Sequence, residues 1–256
     1  MDVEALVRRD RIVVAAGLTG ISLLAWLHLF QMARHMGGLS MDAAMPGMAA
    51  GAASREVLLA FAMWAVMMVA MMLPSAAPIV LMFAGINRRR AASGGVSVPA
   101  GLFVAGYLIV WTAFSLLAAV AQWGLQRLAA VSADTLTATP ALGGAILIVA
   151  GIYQFTPLKS ACLSQCQSPL GFVLNQWREG ARGAVVMGLR HGMFCLGCCW
   201  TLMALLFVAG VMNLLWVAAI AAFVLVEKLV PAGRLVSYTA GSLLIAFGRW
   251  VLARAF

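Results

Sequence analysis

Charge is what this chain has least of. Only 10% of its 256 residues are Asp, Glu, Lys or Arg, where a soluble domain carries roughly 25%. Hydrophilic length is short as well. The stretches between apolar runs, 31–56 and 159–192 at their longest, are too small to build an independent core, which excludes an added soluble domain. No phosphate-cradling glycine loop is present, which excludes pumping driven by the chain's own ATP hydrolysis. No Ser-His-Asp type grouping or internal repeat stands out. The apolar runs also lack the period-two alternation of membrane barrel strands.

What is there is grease in long blocks. Hydrophobic residues make up 64% of the chain and mean hydropathy is +1.01. Several uncharged runs reach the ~20 residues that an α-helix needs to cross a bilayer. They predict spans at 12–30, 57–83, 98–122, 140–158, 193–211, 213–226 and 235–252. The expected fold is therefore an all-α polytopic transmembrane bundle of about seven spans, or six if Glu227, Lys228 and Pro231 interrupt the last pair. It forms a single integral membrane domain over 1–256. The first apolar run follows basic residues as a signal peptide would, but it is too long for an h-region and no cleavage site follows.

The seventeen basic residues report orientation. With the N-terminus inside, Arg8, Arg9, Arg11, Arg88, Arg89, Arg90, Lys159, Arg178, Arg182, Arg190, Lys228 and Arg234 are cytoplasmic. Arg34, Arg55, Arg127, Arg249 and Arg254 lie opposite. Twelve against five predicts a cytoplasmic N-terminus by the positive-inside rule. The net charge of +9 thus reads as topology and contact with anionic lipid. The charges are spread over several loops with no basic-aromatic surface, which excludes nucleic-acid binding.

Five cysteines fall in two clusters, Cys162-x-x-x-Cys166 and Cys195-x-x-Cys198-Cys199, the second preceded by His191. At ~100° per residue, Cys195, Cys198 and Cys199 lie about 40°, −20° and 80° around the helix from His191, which is one face. Cys162 and Cys166 at i, i+4 share a face if the fourth helix continues. Both clusters are expected near the cytoplasmic boundary. Thiolates select Cu(I) or Zn(II) over hard ions; Cu(I) accepts two or three ligands, whereas structural zinc wants four. Buried cysteines also serve as small hydrophobes. Paired thiols exchange with disulfides too, although the cytoplasmic side is reducing and five is an odd number.

Met63, Met67 and Met71 form an i, i+4, i+8 stripe on the second span, broadened by Met68 and Met72 and followed by Pro74 and Pro78. Such a stripe reads either as flexible packing or as a ladder of thioether ligands. A third soft-donor region, His28, Met32, His35, Met36, Met41, Met45 and Met48, is expected in an outer loop, as a linker or as a metal-capturing segment. Glu227 and Lys228 are expected to pair with each other, or Lys228 to snorkel to the interface.

These residues carry a resemblance. Met63-Trp-Ala-Val-Met67-Met68-Val-Ala-Met71-Met72-Leu-Pro74, Ala161-Cys162-x-x-x-Cys166-x-x-Pro169-Leu170 and Gly192-x-x-Cys195-x-Gly197-Cys198-Cys199-Trp200 resemble the bacterial "predicted metal-binding integral membrane proteins", a domain-of-unknown-function family. Val211-Met-Asn213 and Glu227-Lys228 resemble it as well, so that the likeness covers about 61–231. It implies a multi-pass protein of the bacterial inner membrane that binds metal and is linked to copper handling. The leading expectation is therefore Cu(I) binding for transport, or for delivery to a periplasmic or membrane cuproenzyme or copper chaperone, with Cys162, Cys166, Cys195, Cys198, Cys199, His191 and the five methionines as ligands. Zinc stays open as the metal. A membrane thiol-disulfide oxidoreductase and a structural subunit with packing cysteines are the alternatives.

Overall fold

The computed structural model describes residues 3–38, 52–132 and 137–255. The described chain is helical throughout, apart from one isolated bridge between Val131 and Ala138. The helices are α1 (Val3–Gly38), α2 (Ala52–Ala92), α3 (Ala100–Arg127), α4 (Pro140–Tyr153), α5 (Pro157–Gln167), α6 (Pro169–Gln176), α7 (Gly180–Ala204), α8 (Leu206–Ala209), α9 (Leu214–Leu229) and α10 (Gly233–Ala255). Five segments are long and apolar enough to cross a membrane, and a sixth is if the bent pair α4 and α5 counts as one span. The all-α bundle is as expected. The expected span at 213–226 is α9, which has only 16 residues because Pro231 stops it and Asn213, whose side chain accepts from Leu215 N at 3.2 Å, caps its start.

The regions expected to be loops differ most. α1 runs on to Gly38 and α2 begins at Ala52, so 31–38 and 52–56 of the expected outer segment are helix extensions. The segment 159–192, expected to be a loop, consists of α5, α6 and the first half of α7. The fourth helix does not continue into the first cysteine pair. Pro157 has no N–H to give and disfavours helical geometry at the residue before it. Thr156 accordingly turns out (φ −74°, ψ 144°) and caps a new helix by accepting from Lys159 N. α5 leaves α4 at 67°.

Outward faces are apolar: Leu24, Leu117, Leu215 and Leu243 are each more than two-thirds exposed, as suits contact with hydrocarbon rather than water. Inside, glycines let backbones touch. Gly106 and Gly192 of α3 and α7, and Gly144, Gly151, Gly241 and Gly248 of α4 and α10, each lie against a facing helix with no room for a Cβ. Small residues at helix contacts are the usual device where no hydrophobic force drives apolar helices together.

Pro74 interrupts α2 and is answered from α1. A proline frees the carbonyl four residues back, here that of Ala70, and Trp26 Nε1 donates to that oxygen at 3.1 Å. Trp26→Phe is expected to cost about 1–3 kcal/mol by leaving the carbonyl unpaired in an apolar setting. In a Pro74→Ala background, which restores the N–H, the same change should cost far less. Unfolding of the four variants in detergent, read as a double-mutant cycle, would show no coupling if the tryptophan acts only by packing.

Candidate soft-metal site

The thiol cluster, expected near the cytoplasmic boundary, lies buried inside the bundle. α7 starts at Gly180, so Cys195 sits about 22 Å along the helix from that end. Cys195, Cys198 and Cys199 have no exposed surface, Cys162 is buried and Cys166 half-buried. All five are free thiols. The Cys198 and Cys199 thiols both donate to the Cys195 carbonyl, at 3.1 and 3.0 Å. This draws the side chains back along α7 toward Cys195, as helical rotamers favour.

α5 brings the second cluster alongside. A Cβ on Gly197 would lie 2.7 Å from Cys162 Sγ, so the glycine between the two cysteine positions of α7 is what lets Cys162 approach. Cys166, one turn further along α5, is half-buried. From α2, Met72 Sδ stands 4.0 Å from Cys199 Sγ. Met67, Met68 and Met71 are buried in the same core and Met63 is half-buried. The ten residues from Met63 to Met72 span roughly 14 Å of helix, too long for one coordination shell, so the methionines line a path or a packing seam.

The other sequence candidates have different surroundings. His191 is buried between aromatic rings, with Tyr107, Phe172 and Phe103 centroids at 5.6, 5.3 and 6.1 Å, and its Nδ1 has no partner. His28 is exposed on α1 and Met32 half-buried there. The backbone at His35 and Met36 is helical, while Met41, Met45 and Met48 lie outside the described residues. Among the described residues no three His, Cys, Asp or Glu side chains are gathered tightly enough to hold a metal ion as they stand. Closing a ligand set therefore requires thiols now bonded to the Cys195 carbonyl to turn.

The expected Glu227–Lys228 pair does not form. Consecutive helical residues point about 100° apart, and the two side chains take different partners. Glu227 pairs with Lys159 of α5 at 2.8 Å and accepts from Ser237 of α10 at 2.5 Å. Lys228 Nζ donates to Ser75 Oγ of α2 at 2.9 Å and to Cys195 Sγ at 3.0 Å. The Tyr107 hydroxyl of α3 meets the same sulfur at 3.1 Å and donates to the Met72 carbonyl at 3.0 Å. Lys159 also donates to the Cys198 carbonyl at 3.0 Å. Six helices thus converge on the cluster. Lys159, Ser75 and Tyr107 were not among the sequence candidates, although a lysine two residues after a proline that breaks an apolar run was a usable signal.

A set of thiols and a thioether, screened from water, is suited to a soft cation and poorly suited to hard ions such as Mg(II) or Ca(II). Comparison with known families decides the class. Residues 61–251 match the PpoB2 family, a family of copper chaperones. The chain belongs to this family. The match takes in every cysteine, the methionine stripe of α2, Lys159, Glu227 and Lys228, and extends the likeness read from the motifs through most of α10. No curated protein and no solved structure matches the chain. Membership in PpoB2 assigns the chain a copper-related function.

Proposed function

We propose that this chain is an integral membrane copper chaperone, one membrane domain over its whole length, that binds Cu(I) at the α7 cysteines and passes it to a cuproenzyme or a further chaperone. The observation that carries this reading is the grouping of Cys195, Cys198 and Cys199 on one buried face of α7, with Met72 Sδ 4.0 Å from Cys199 Sγ, in a chain of a copper chaperone family. Cu(I) tolerates two or three soft ligands, so it needs less rearrangement here than four-coordinate zinc. Cys162 and the half-buried Cys166 on α5 extend the thiols toward the surface and suit relay of the ion, the α2 methionines continuing the soft path. His191 is a reserve ligand one turn before Cys195.

The location we propose is the bacterial inner membrane with the N-terminus cytoplasmic. Lys159 and Lys228 are buried and leave the charge count, so twelve less two, or ten basic residues, face five; the bias keeps its sign. An N-terminal reporter active only in the periplasm should stay silent, and activity there would reverse the orientation.

Copper analysis tests the binding reading. Purified under reducing conditions and loaded with Cu(I), the protein should hold near-stoichiometric copper. Cys195→Ser/Cys199→Ser should lose essentially all of it, and Cys162→Ser/Cys166→Ser should keep the ion but transfer it more slowly to an acceptor. Copper retained unchanged in the α7 variant would remove these cysteines from the site.

A further inference from the structure

Among the described residues, the buried charged or imidazole side chains are Lys159, His191, Glu227 and Lys228. Lys159 and Glu227 neutralise each other at 2.8 Å. Lys228 has no carboxylate: it is in none of the described ion pairs, which join Arg88 to Asp10, Arg90 to Glu179 and Lys159 to Glu227. Its ammonium rests instead on a hydroxyl and a cysteine sulfur, Ser75 Oγ at 2.9 Å and Cys195 Sγ at 3.0 Å. A lone cation in such a place is costly, and charges kept at membrane depth are usually functional. The site therefore carries one positive charge that the fold does not balance.

We propose that Lys228 is the built-in counter-ion of the cargo, so that the site is charge-matched to a soft monovalent cation held as an anionic two-thiolate complex. Two thiolates, from Cys195 and Cys199, bring −2 and a monovalent ion +1. The complex is −1, and Lys228 beside Cys195 closes the sum to zero. Met72 is a neutral thioether, so it adds a donor to the ion without altering the balance. A divalent ion on the same two thiolates is neutral and leaves the buried ammonium uncompensated. Discrimination against zinc thus comes from charge as well as from ligand softness. Lys228 is a positioning residue here: it touches the ligand sulfur and not the ion. The inference rests on the reading above that the α7 cysteines are the copper site.

Competition titrations on the full chain in detergent, with a chromogenic Cu(I) chelator and a zinc indicator, test it. Lys228→Met should weaken Cu(I) by about 100-fold or more, the order expected from deleting a unit charge a few ångströms away at an effective dielectric near 20. Zinc affinity should hold or rise, and Lys228→Arg should stay within about tenfold of wild type for Cu(I). A loss confined to the monovalent ion is not what a merely structural lysine would produce. Wild type that binds Cu(I) with Lys228→Met unchanged overturns the counter-ion while leaving the copper site standing. Wild type that binds no Cu(I) overturns the copper site itself. X-ray absorption of the wild type gives a measurement independent of any variant's folding: two thiolate sulfurs around Cu(I), with or without a longer thioether, are expected, and three or four thiolates would refute the charge match.

Discussion

Lys159→Met is expected to destabilise the protein by about 3–5 kcal/mol, the usual cost of removing one partner from a buried ion pair. Lys159 is 1% exposed and Glu227 has no exposed surface, so water cannot replace the missing ammonium. Ser237 would remain as a single hydroxyl donor to the carboxylate. The same lysine also holds the Cys198 carbonyl, and its loss would free α5 to shift against α7. The partner change separates charge from packing. Lys159→Met/Glu227→Leu, which removes both charges, should recover most of the lost stability, because apolar replacement of a buried pair is often neutral or better. Reversible unfolding in mixed detergent measures all three. A double variant as unstable as Lys159→Met would show that the lysine stem and its carbonyl contact, rather than the ion pair, matter.

Gly188→Leu should be nearly as damaging, by about 3 kcal/mol or more, at the upper end of overpacking costs. A Cβ at Gly188 would run into the Phe103 carbonyl oxygen and lie 2.9 Å from its carbon and 3.0 Å from Tyr107 N. Those are backbone atoms of α3, so no side-chain rotation relieves the clash and the two helices must part. Tyr107 would then withdraw from Cys195, which it meets at 3.1 Å, and copper binding should weaken together with stability. Gly188→Ala should show the same effects to a smaller extent. Full stability in Gly188→Leu, measured by thermal unfolding in detergent, would mean that α3 and α7 are not held at this distance.

These two residues show where reading the chain succeeds and where it stops. The cysteine face of α7 was legible because His191, Cys195, Cys198 and Cys199 belong to one helix, and helical period alone puts them on one side. The aromatic cage around His191 was not, since Phe103, Tyr107 and Phe172 come from α3 and α6. Lys159 sits at the polar start of α5, the least apolar of the helices from α1 to α7, and local hydropathy therefore assigns it to a loop. Only the sharp turn at Thr156 folds α5 back into the bundle and buries the charge against Glu227. The Glu227–Lys228 dipeptide illustrates the converse, as sequence neighbours on a helix diverge and each found a partner at least 33 positions away.

The sequence by itself determined the class of solvent and the class of ligand. Long uncharged runs can satisfy their backbones in hydrocarbon only as helices, and sulfur chemistry favours soft ions whatever the fold. Tertiary structure decided how deep the sulfurs lie, which methionine reaches them and what charge surrounds them. Those outcomes depend on the bend before α5 and on glycine contacts that set helix spacing, and such long-range approaches leave no periodic trace along the chain. The unbalanced Lys228 beside Cys195 is the clearest case: its residue type was visible from the start, but its ammonium came to rest on Ser75 and Cys195 only when α2, α7 and α9 met.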